Sequence, residues 1–189
     1  MERMTRTDLE IASDFVHGWV ASPKPRRARL GKKLPVAAVQ LAALSHPDLA
    51  MRRVCLFLLD HYASDVSSDT FRRALRDPVA SVRESALRGL ACERCRHEDI
   101  CVTEVVTDVI EILASDPNPE VRHKALAALA RFIDRDRRAG EAIARAALHD
   151  ADAAVRRAAQ VVADSGQPHV RSRKAALRDA RRAVRSRSL

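Results

Sequence analysis

Three cysteines and one histidine lie within ten residues of this sequence, in the segment ACERCRHEDICV (residues 91–102). Cys92 and Cys95 have the two-residue spacing of a metal knuckle, and His97 and Cys101 follow them. These four side chains could complete a tetrahedral zinc site, because thiolates and imidazole are the usual ligands of structural zinc. Thiolates select zinc or an iron–sulfur cluster over magnesium or calcium, and iron–sulfur is the weaker interpretation here.

The cysteine pattern leaves three interpretations open. A single CxxC with one further cysteine is half of a paired-knuckle signature, so it fits structural zinc, reduced thiols without a metal, or a redox pair. The fourth cysteine, Cys55, stands apart in an apolar segment, which favours a small buried hydrophobe. The sequence therefore predicts no definite cofactor beyond this candidate zinc.

The positive charge of the chain is concentrated in two segments. Basic residues outnumber acidic ones by 34 to 25, a net charge of +9 over 189 residues. Residues 24–33 carry six basic and no acidic side chains, and residues 169–189 carry eight basic and one acidic. The segments are either solvated ends or appendages for phosphate, an acidic protein or anionic lipid, of which the lipid is the weakest interpretation. The side chains that would contact a nucleic-acid backbone are Lys24, Arg26, Arg27, Arg171, Arg173, Lys174, Arg178, Arg181 and Arg182.

A fourteen-residue pattern occurs four times. Its copies are HPDLAMRRVCLFLL, DPVASVRESALRGL, DPNPEVRHKALAAL and DADAAVRRAAQVVA, which begin at residues 46, 77, 116 and 150. We call the sixth residue of each copy its reference position; these are Met51, Val82, Val121 and Val155, each followed by arginine. Small or apolar residues stand four and eight places later, on the same face of a helix. Each copy is therefore predicted to be an amphipathic helix.

A second apolar-periodic segment precedes each copy, so the sequence predicts helix pairs. These segments cover residues 35–45, 67–76, 102–114 and 139–148. Asp77 and Asp116 precede prolines, and we expect each aspartate to be an N-cap with proline in the first turn. No alternating strand pattern with hairpin signals is present, which indicates an all-α fold. The arginines after the reference positions are spaced by 31, 39 and 34 residues, typical of helix pairs stacked in a right-handed α-solenoid.

The pattern Asp-Pro, three residues, Val-Arg, two residues, Ala-Leu resembles the second helix of HEAT repeats, and the resemblance covers residues 35–164. Bacterial HEAT-like proteins with a cysteine-bearing connector are similar to it. The resemblance implies that the aspartates and arginines form a structural ladder between repeats: Asp77, Asp116, Asp150, Arg52, Arg83, Arg122 and Arg156.

Four segments make up the expected organisation of the chain. We expect an N-terminal helix in residues 1–21, a basic linker in 22–34, the repeat domain in 35–168 and a basic helix or tail in 169–189. Acidic residues interrupt the first 20 positions, so neither a signal peptide nor a membrane span is expected, and the protein is predicted to be cytoplasmic. The sequence does not indicate an oligomeric state.

Binding is the function that the sequence favours. It lacks a glycine-rich phosphate loop, a nucleophile elbow and a helical HExxH, so we expect no catalysis. A solenoid binds along the concave face formed by its second helices. The side chains expected there are Arg53, Glu84, Arg88, His123, Lys124, Arg131 and Arg157. They form either an ordinary solvated surface, a docking site for a partner protein, or a surface for DNA or RNA backbone.

Overall fold

A computed structural model describes residues 6–63, 68–91 and 102–165, and all regular structure in these ranges is helical, which confirms the all-α prediction. The helices are α1 (Arg6–Ala21), α2 (Lys24–Gly31), α3 (Val36–Ser45), α4 (Leu49–Tyr62), α5 (Asp69–Ala74), α6 (Ala80–Leu90), α7 (Val102–Ser115), α8 (Pro119–Leu129), α9 (Arg137–His149) and α10 (Ala153–Ser165).

Four helix pairs stack in chain order. The pairs are α3 with α4, α5 with α6, α7 with α8, and α9 with α10. The second helices form one layer, in which α4 packs on α6, α6 on α8 and α8 on α10. In the layer of first helices, α3 packs on α5 and α7 packs on α9. This arrangement is the predicted α-solenoid, and α1 packs on α3 and α4 at its N-terminal end.

The core follows the apolar stripe of the repeated pattern. The reference residues and the residues four and eight places later are buried in the first three copies: Met51, Cys55, Leu59, Val82, Ala86, Leu90, Val121, Ala125 and Leu129. In the fourth copy Val155 and Ala159 are buried, whereas Ala163 is exposed. Burial raises the pKa of the Cys55 thiol to about 12, which keeps it protonated and unreactive. Cys55 is therefore a packing residue.

The prediction of a linker is wrong for residues 24–31, because they form α2. Pro23 and Pro25 lie at the start of this helix, where a missing amide donor costs little. Arg27 fixes α2 to the end of α1 by donating hydrogen bonds to the carbonyls of Ser22 at 2.7 Å and Val20 at 2.6 Å. Its guanidinium also lies 5.0 Å from the centre of the Trp19 ring. The two hydrogen bonds satisfy carbonyl groups at the C-terminal end of α1. Composition alone does not reveal this role of Arg27.

The prediction of two aspartate N-caps is also wrong. The N-cap positions are Val79 in α6, which makes no side-chain hydrogen bond there, and Asn118 in α8, each two residues after the aspartate that we expected. Asp77 and Asp116 instead accept hydrogen bonds from the backbone N–H groups of Val79 and Asn118, at 2.8 and 2.9 Å. Each aspartate thus closes an Asx turn before the helix, which leaves its carboxylate available to the neighbouring repeat.

The ladder implied by the resemblance is present. Arg83 donates to both carboxylate oxygens of Asp116, at 2.7 and 2.8 Å, in a bidentate pair. Its Nη1 also donates to the carbonyl oxygen of Asp77 at 2.9 Å. Arg52 with Asp77 and Arg122 with Asp150 repeat this geometry. The guanidinium therefore joins the loop of its own repeat to the carboxylate of the next.

Histidine replaces aspartate at the first position of the ladder. Nδ1 of His46 accepts the N–H of Asp48 at 3.0 Å, as the aspartates do in later repeats. Its Nε2 lies 3.3 Å from the hydroxyl of Ser13 on α1. Because Nδ1 is the acceptor, Nε2 carries the proton and donates to Ser13. The atypical residue thus connects the first repeat to α1.

A second set of contacts joins the first helices, which sequence analysis did not find. Gln40 on α3 donates to Thr70 on α5 at 3.2 Å. Arg72 on α5 pairs with Asp108 and Glu104 on α7. Arg138 on α9 donates to the Thr107 hydroxyl and the Thr103 carbonyl on α7, both at 3.0 Å. The three interfaces use different pairs of residues, and Arg72 and Arg138 contact α7 from opposite sides with different partners, so no repeated motif marks these contacts.

Loss of one ladder arginine should destabilise the fold strongly. Arg83→Ala leaves the Asp116 carboxylate, whose side chain is 2 % exposed, without its charged partner. We expect the free energy of unfolding to fall by about 3 to 5 kcal/mol, the usual effect of breaking a buried pair. Arg88→Ala on the same helix is the control and should change it by at most about 0.5 kcal/mol. Urea denaturation measures both, and equal effects would contradict a structural role for the ladder.

Gly89 should not tolerate a side chain. A Cβ at this position would lie 2.2 Å from Cε1 of Phe71, which is fully buried. Gly89→Ala should therefore lower stability by about 1 to 3 kcal/mol through overpacking, despite better helix propensity. Gly18→Ala is the matched control, because nothing lies within 4 Å of its Cβ position, and it should stabilise α1 by up to about 1 kcal/mol. Thermal denaturation measures both changes in stability. If both variants melted at higher temperatures than wild type, or both at lower ones, this packing would be contradicted.

Candidate binding surface

The exposed side chains of α4, α6, α8 and α10 form what we call the second-helix face. It contains six of the seven residues that we expected on a concave surface. Arg53, Arg88, His123, Lys124 and Arg157 are exposed and Glu84 is half-buried. The face is therefore predominantly basic.

The ladder determines which side chains reach this face. The arginine directly after the reference residue is held between repeats in the first three copies, as Arg52 and Arg83 show. The next residue of the helix lies about 100° further around the axis. In α4 and α10 that residue is an exposed arginine, Arg53 or Arg157, and in α6 and α8 it is Glu84 or His123. The first and last repeats therefore present an arginine at the same helical position.

Of the seven residues that we expected on the concave surface, Arg131 is the one that does not lie on a second helix. Helix α8 ends at Leu129, so Arg131 lies beyond it. The chain continues in a tighter turn, in which the N–H groups of Arg131 and Phe132 donate to the carbonyls of Ala128 and Leu129. An offset counted with helical geometry does not apply there. Arg131 is exposed, but α8 does not position it with Lys124.

A groove of about 310 Å³ lies between α4 and α6. It is lined by Ala50, Arg53, Val54, Leu56, Phe57, Asp60, Ser85 and Arg88. The structure thus brings two of the predicted residues, Arg53 and Arg88, to one site. Sequence analysis did not select Phe57 or Asp60, which also line the groove.

Phe57 gives the groove an aromatic edge. Its side chain is 38 % exposed and stacks on the ring of His61, with the ring centres 4.0 Å apart. Trp19 supports it from α1 at 5.8 Å. The sequence did contain a signal for Phe57. It stands six places after the reference position, an offset expected to face solvent, and a large apolar residue is unusual there.

A second basic surface surrounds α2. A depression of about 400 Å³ is lined by Pro23, Pro25, Arg26, Arg29, Leu30 and Lys33. Lys24 and Arg26, two of the predicted phosphate-contacting residues, are exposed there. Arg27 is not available to a ligand, because it holds α2 against α1. The remaining predicted contacts lie outside the described residues: Arg171, Arg173, Lys174, Arg178, Arg181 and Arg182.

The candidate metal ligands Cys92, Cys95, His97 and Cys101 also lie outside the described residues. Within residues 6–63, 68–91 and 102–165, no group of three or more His, Cys, Asp or Glu side chains is arranged to hold a metal ion. None of the helices described in those ranges is long and apolar enough to cross a bilayer.

Comparison with known proteins gives one match. A family model described as HEAT repeats matches residues 74–163, from the end of α5 to the last turns of α10. No curated protein and no solved structure matches the chain significantly. The matched residues contain three copies of the repeated helix and the ladder pairs of Arg83 and Arg122. The match over residues 74–163 and the stacked helix pairs together support a HEAT-repeat protein.

Proposed function

We propose that the protein is a non-catalytic adaptor that docks an acidic partner protein on its second-helix face. HEAT repeats generally serve as protein-interaction scaffolds and are typically non-catalytic. The observation that carries the proposal is the set of exposed cations on successive second helices, Arg53, Arg88, Lys124 and Arg157, beside arginines held in the ladder.

The chemistry of the face suits a protein ligand. Arginine and aromatic side chains are enriched at protein interfaces and supply much of their binding energy. Arg53, Arg88 and Phe57 meet in one groove, where apolar and basic groups are available to a single segment of a partner. Complementary charge would raise the association rate and select acidic partners over basic ones.

Reversing the charge of this face should abolish docking. A variant with Arg53→Glu, Arg88→Glu and Lys124→Glu should lose at least about tenfold in partner capture, because like charges across an interface cost several kcal/mol. The measurement is quantitative cross-linking and affinity capture from the native cells, after nuclease treatment to remove bridging nucleic acid.

A matched control makes the same change of net charge on the first helices. Arg73→Glu, Arg137→Glu and Arg145→Glu alter exposed residues of α5 and α9 and should leave partner capture unchanged. Circular dichroism melts establish that both variants fold. Equal retention, or equal loss, of partners by the two variants would exclude the second-helix face as the docking site.

The exposed basic surface of α2 supports a second candidate function, binding of DNA or RNA through its phosphate backbone. Lys24, Arg26, Arg29 and Lys33 are exposed, and residues 24–33 contain no acidic side chain. Aromatic residues make up 3 % of the chain, so base stacking is not a suitable source of affinity. Binding would instead depend on counterion release.

A salt titration tests this second function. Random duplex DNA should bind with about micromolar affinity at low salt and dissociate by a few hundred millimolar. In the double variant Lys24→Gln, Arg26→Gln, the slope of the logarithm of the binding constant against the logarithm of salt concentration should fall by the equivalent of about two phosphate contacts. Arg73→Gln with Arg145→Gln is the matched control and should leave the slope unchanged. Absence of binding at low salt would remove this candidate.

A further inference from the structure

Asp60 is a buried carboxylate with an unsatisfied oxygen. The residue is 5 % exposed, and its Oδ1 atom has no hydrogen-bond partner among the described residues. Its Oδ2 atom lies 3.4 Å from Nδ1 of His61. That nitrogen is 3.1 Å from the carbonyl oxygen of Phe57, which can only accept, so its proton is directed there. The carboxylate therefore retains its capacity to accept hydrogen bonds.

The stack does not need a buried carboxylate at this position. Asp60 stands nine places after the reference residue, where the next two repeats have Ala91 and Ala130, the C-cap residues just beyond α6 and α8. The fourth repeat has Asp164, which is exposed and accepts a hydrogen bond from Gln160. Burying a carboxylate oxygen without a hydrogen-bond partner costs free energy, and Oδ1 of Asp60 is such an atom. A buried polar atom that neither the repeat nor its neighbours satisfy points to a ligand.

Asp60 lines the groove between α4 and α6, together with Arg53 and Arg88. A carboxylate accepts best from the charged N–H groups of lysine or arginine. The two exposed arginines repel an isolated cation and attract carboxylates. The groove is thus complementary to one basic side chain with acidic neighbours. A phosphate backbone fits it poorly, because Asp60 would face the phosphates.

We propose that this groove binds an acidic segment of a partner protein and that Asp60 accepts hydrogen bonds from one lysine or arginine side chain of that segment. The proposal rests on the adaptor function, since it names the chemistry recognised at one part of the same face. Oδ1 of Asp60 is closed to solvent in the unbound protein. Binding therefore requires side chains that line the groove to change rotamer, so that a ligand reaches this atom.

The net charge of the protein gives the proposal a sharp test. A chain of +9 selects against basic peptides through its overall field, so a preference for a basic residue must come from a local group, and Asp60→Asn tests whether that group is Asp60. The probe is a phage-displayed library of random twelve-residue peptides, selected on the full-length protein in moderate salt. Selections on wild type, on Asp60→Asn and on Arg53→Gln with Arg88→Gln are compared by sequencing.

Wild type should select peptides that carry one lysine or arginine between aspartates or glutamates. Asp60→Asn should lose the preference for the basic residue but keep the preference for acidic ones. The arginine double variant should do the reverse. For one selected peptide, fluorescence anisotropy should show at least about tenfold weaker binding to Asp60→Asn, and little difference once citrulline replaces the peptide arginine.

Stability separates this role from a structural one. Asparagine has the shape of aspartate without its charge, so Asp60→Asn should unfold at the same or a higher urea concentration than wild type. Destabilisation like that of Arg83→Ala would show that a group of the protein itself satisfies the carboxylate, and would overturn the proposal. No enriched peptides, or the same basic preference in Asp60→Asn, would also overturn it. The adaptor function would still stand if charge reversal of the face removes cellular partners.

Discussion

The pairing of an arginine in one repeat with an aspartate in the next is the interaction on which the rest of this structure depends. Each guanidinium uses three nitrogens: Nε and Nη2 of Arg83 contact Asp116, and Nη1 contacts a carbonyl of its own loop. The carboxylate in turn fixes the loop that begins the next second helix. Arginine suits this position because its planar group donates in two directions at once. One interaction therefore sets both the loop and the spacing of the repeats.

The ends of the ladder show how the stack is terminated. At the first repeat His46 keeps the loop hydrogen bond of an aspartate and passes the contact to Ser13 of α1. At the fourth repeat Arg156 donates to the carbonyls of Asp150 and Ala151. Gln160, exposed on α10, occupies the position of the buried leucines Leu56, Leu87 and Leu126. Both atypical repeats thus replace apolar or charged groups by neutral polar ones, as terminal repeats require.

Periodic features of this fold could be predicted from sequence, and features that occur once could not. Four copies of an apolar stripe indicated the second helices, because the same physical requirement is repeated in each copy, and the resemblance to HEAT repeats implied the ladder. Helix α2 was missed because contacts that occur only once hold it, those of Arg27 with the end of α1 and the packing of α2 on α4. The offset rule selected Arg53 and Arg88, whereas Asp60 became a candidate only when its burial and missing partner were known. Hydrogen-bond satisfaction is a property of three-dimensional neighbours, which spacing does not encode.

Two buried carboxylates of similar exposure therefore have opposite roles. Asp116 is 5 % exposed, as Asp60 is, but it accepts two hydrogen bonds from Arg83 and one from the backbone of Asn118. In Asp150, which makes the same contacts, the hydrogen bond from Arg122 lowers the pKa of the carboxyl group and keeps it charged. No arginine pairs with Asp60 among the described residues: its Oδ1 has no partner, and its Oδ2 lies 3.4 Å from Nδ1 of His61. Asp108 is a buried acid outside the ladder too, but Arg72 pairs with it, so a contact within the fold accounts for its position. Asp60 lacks such an account for Oδ1, and this difference is why the proposed ligand is placed there.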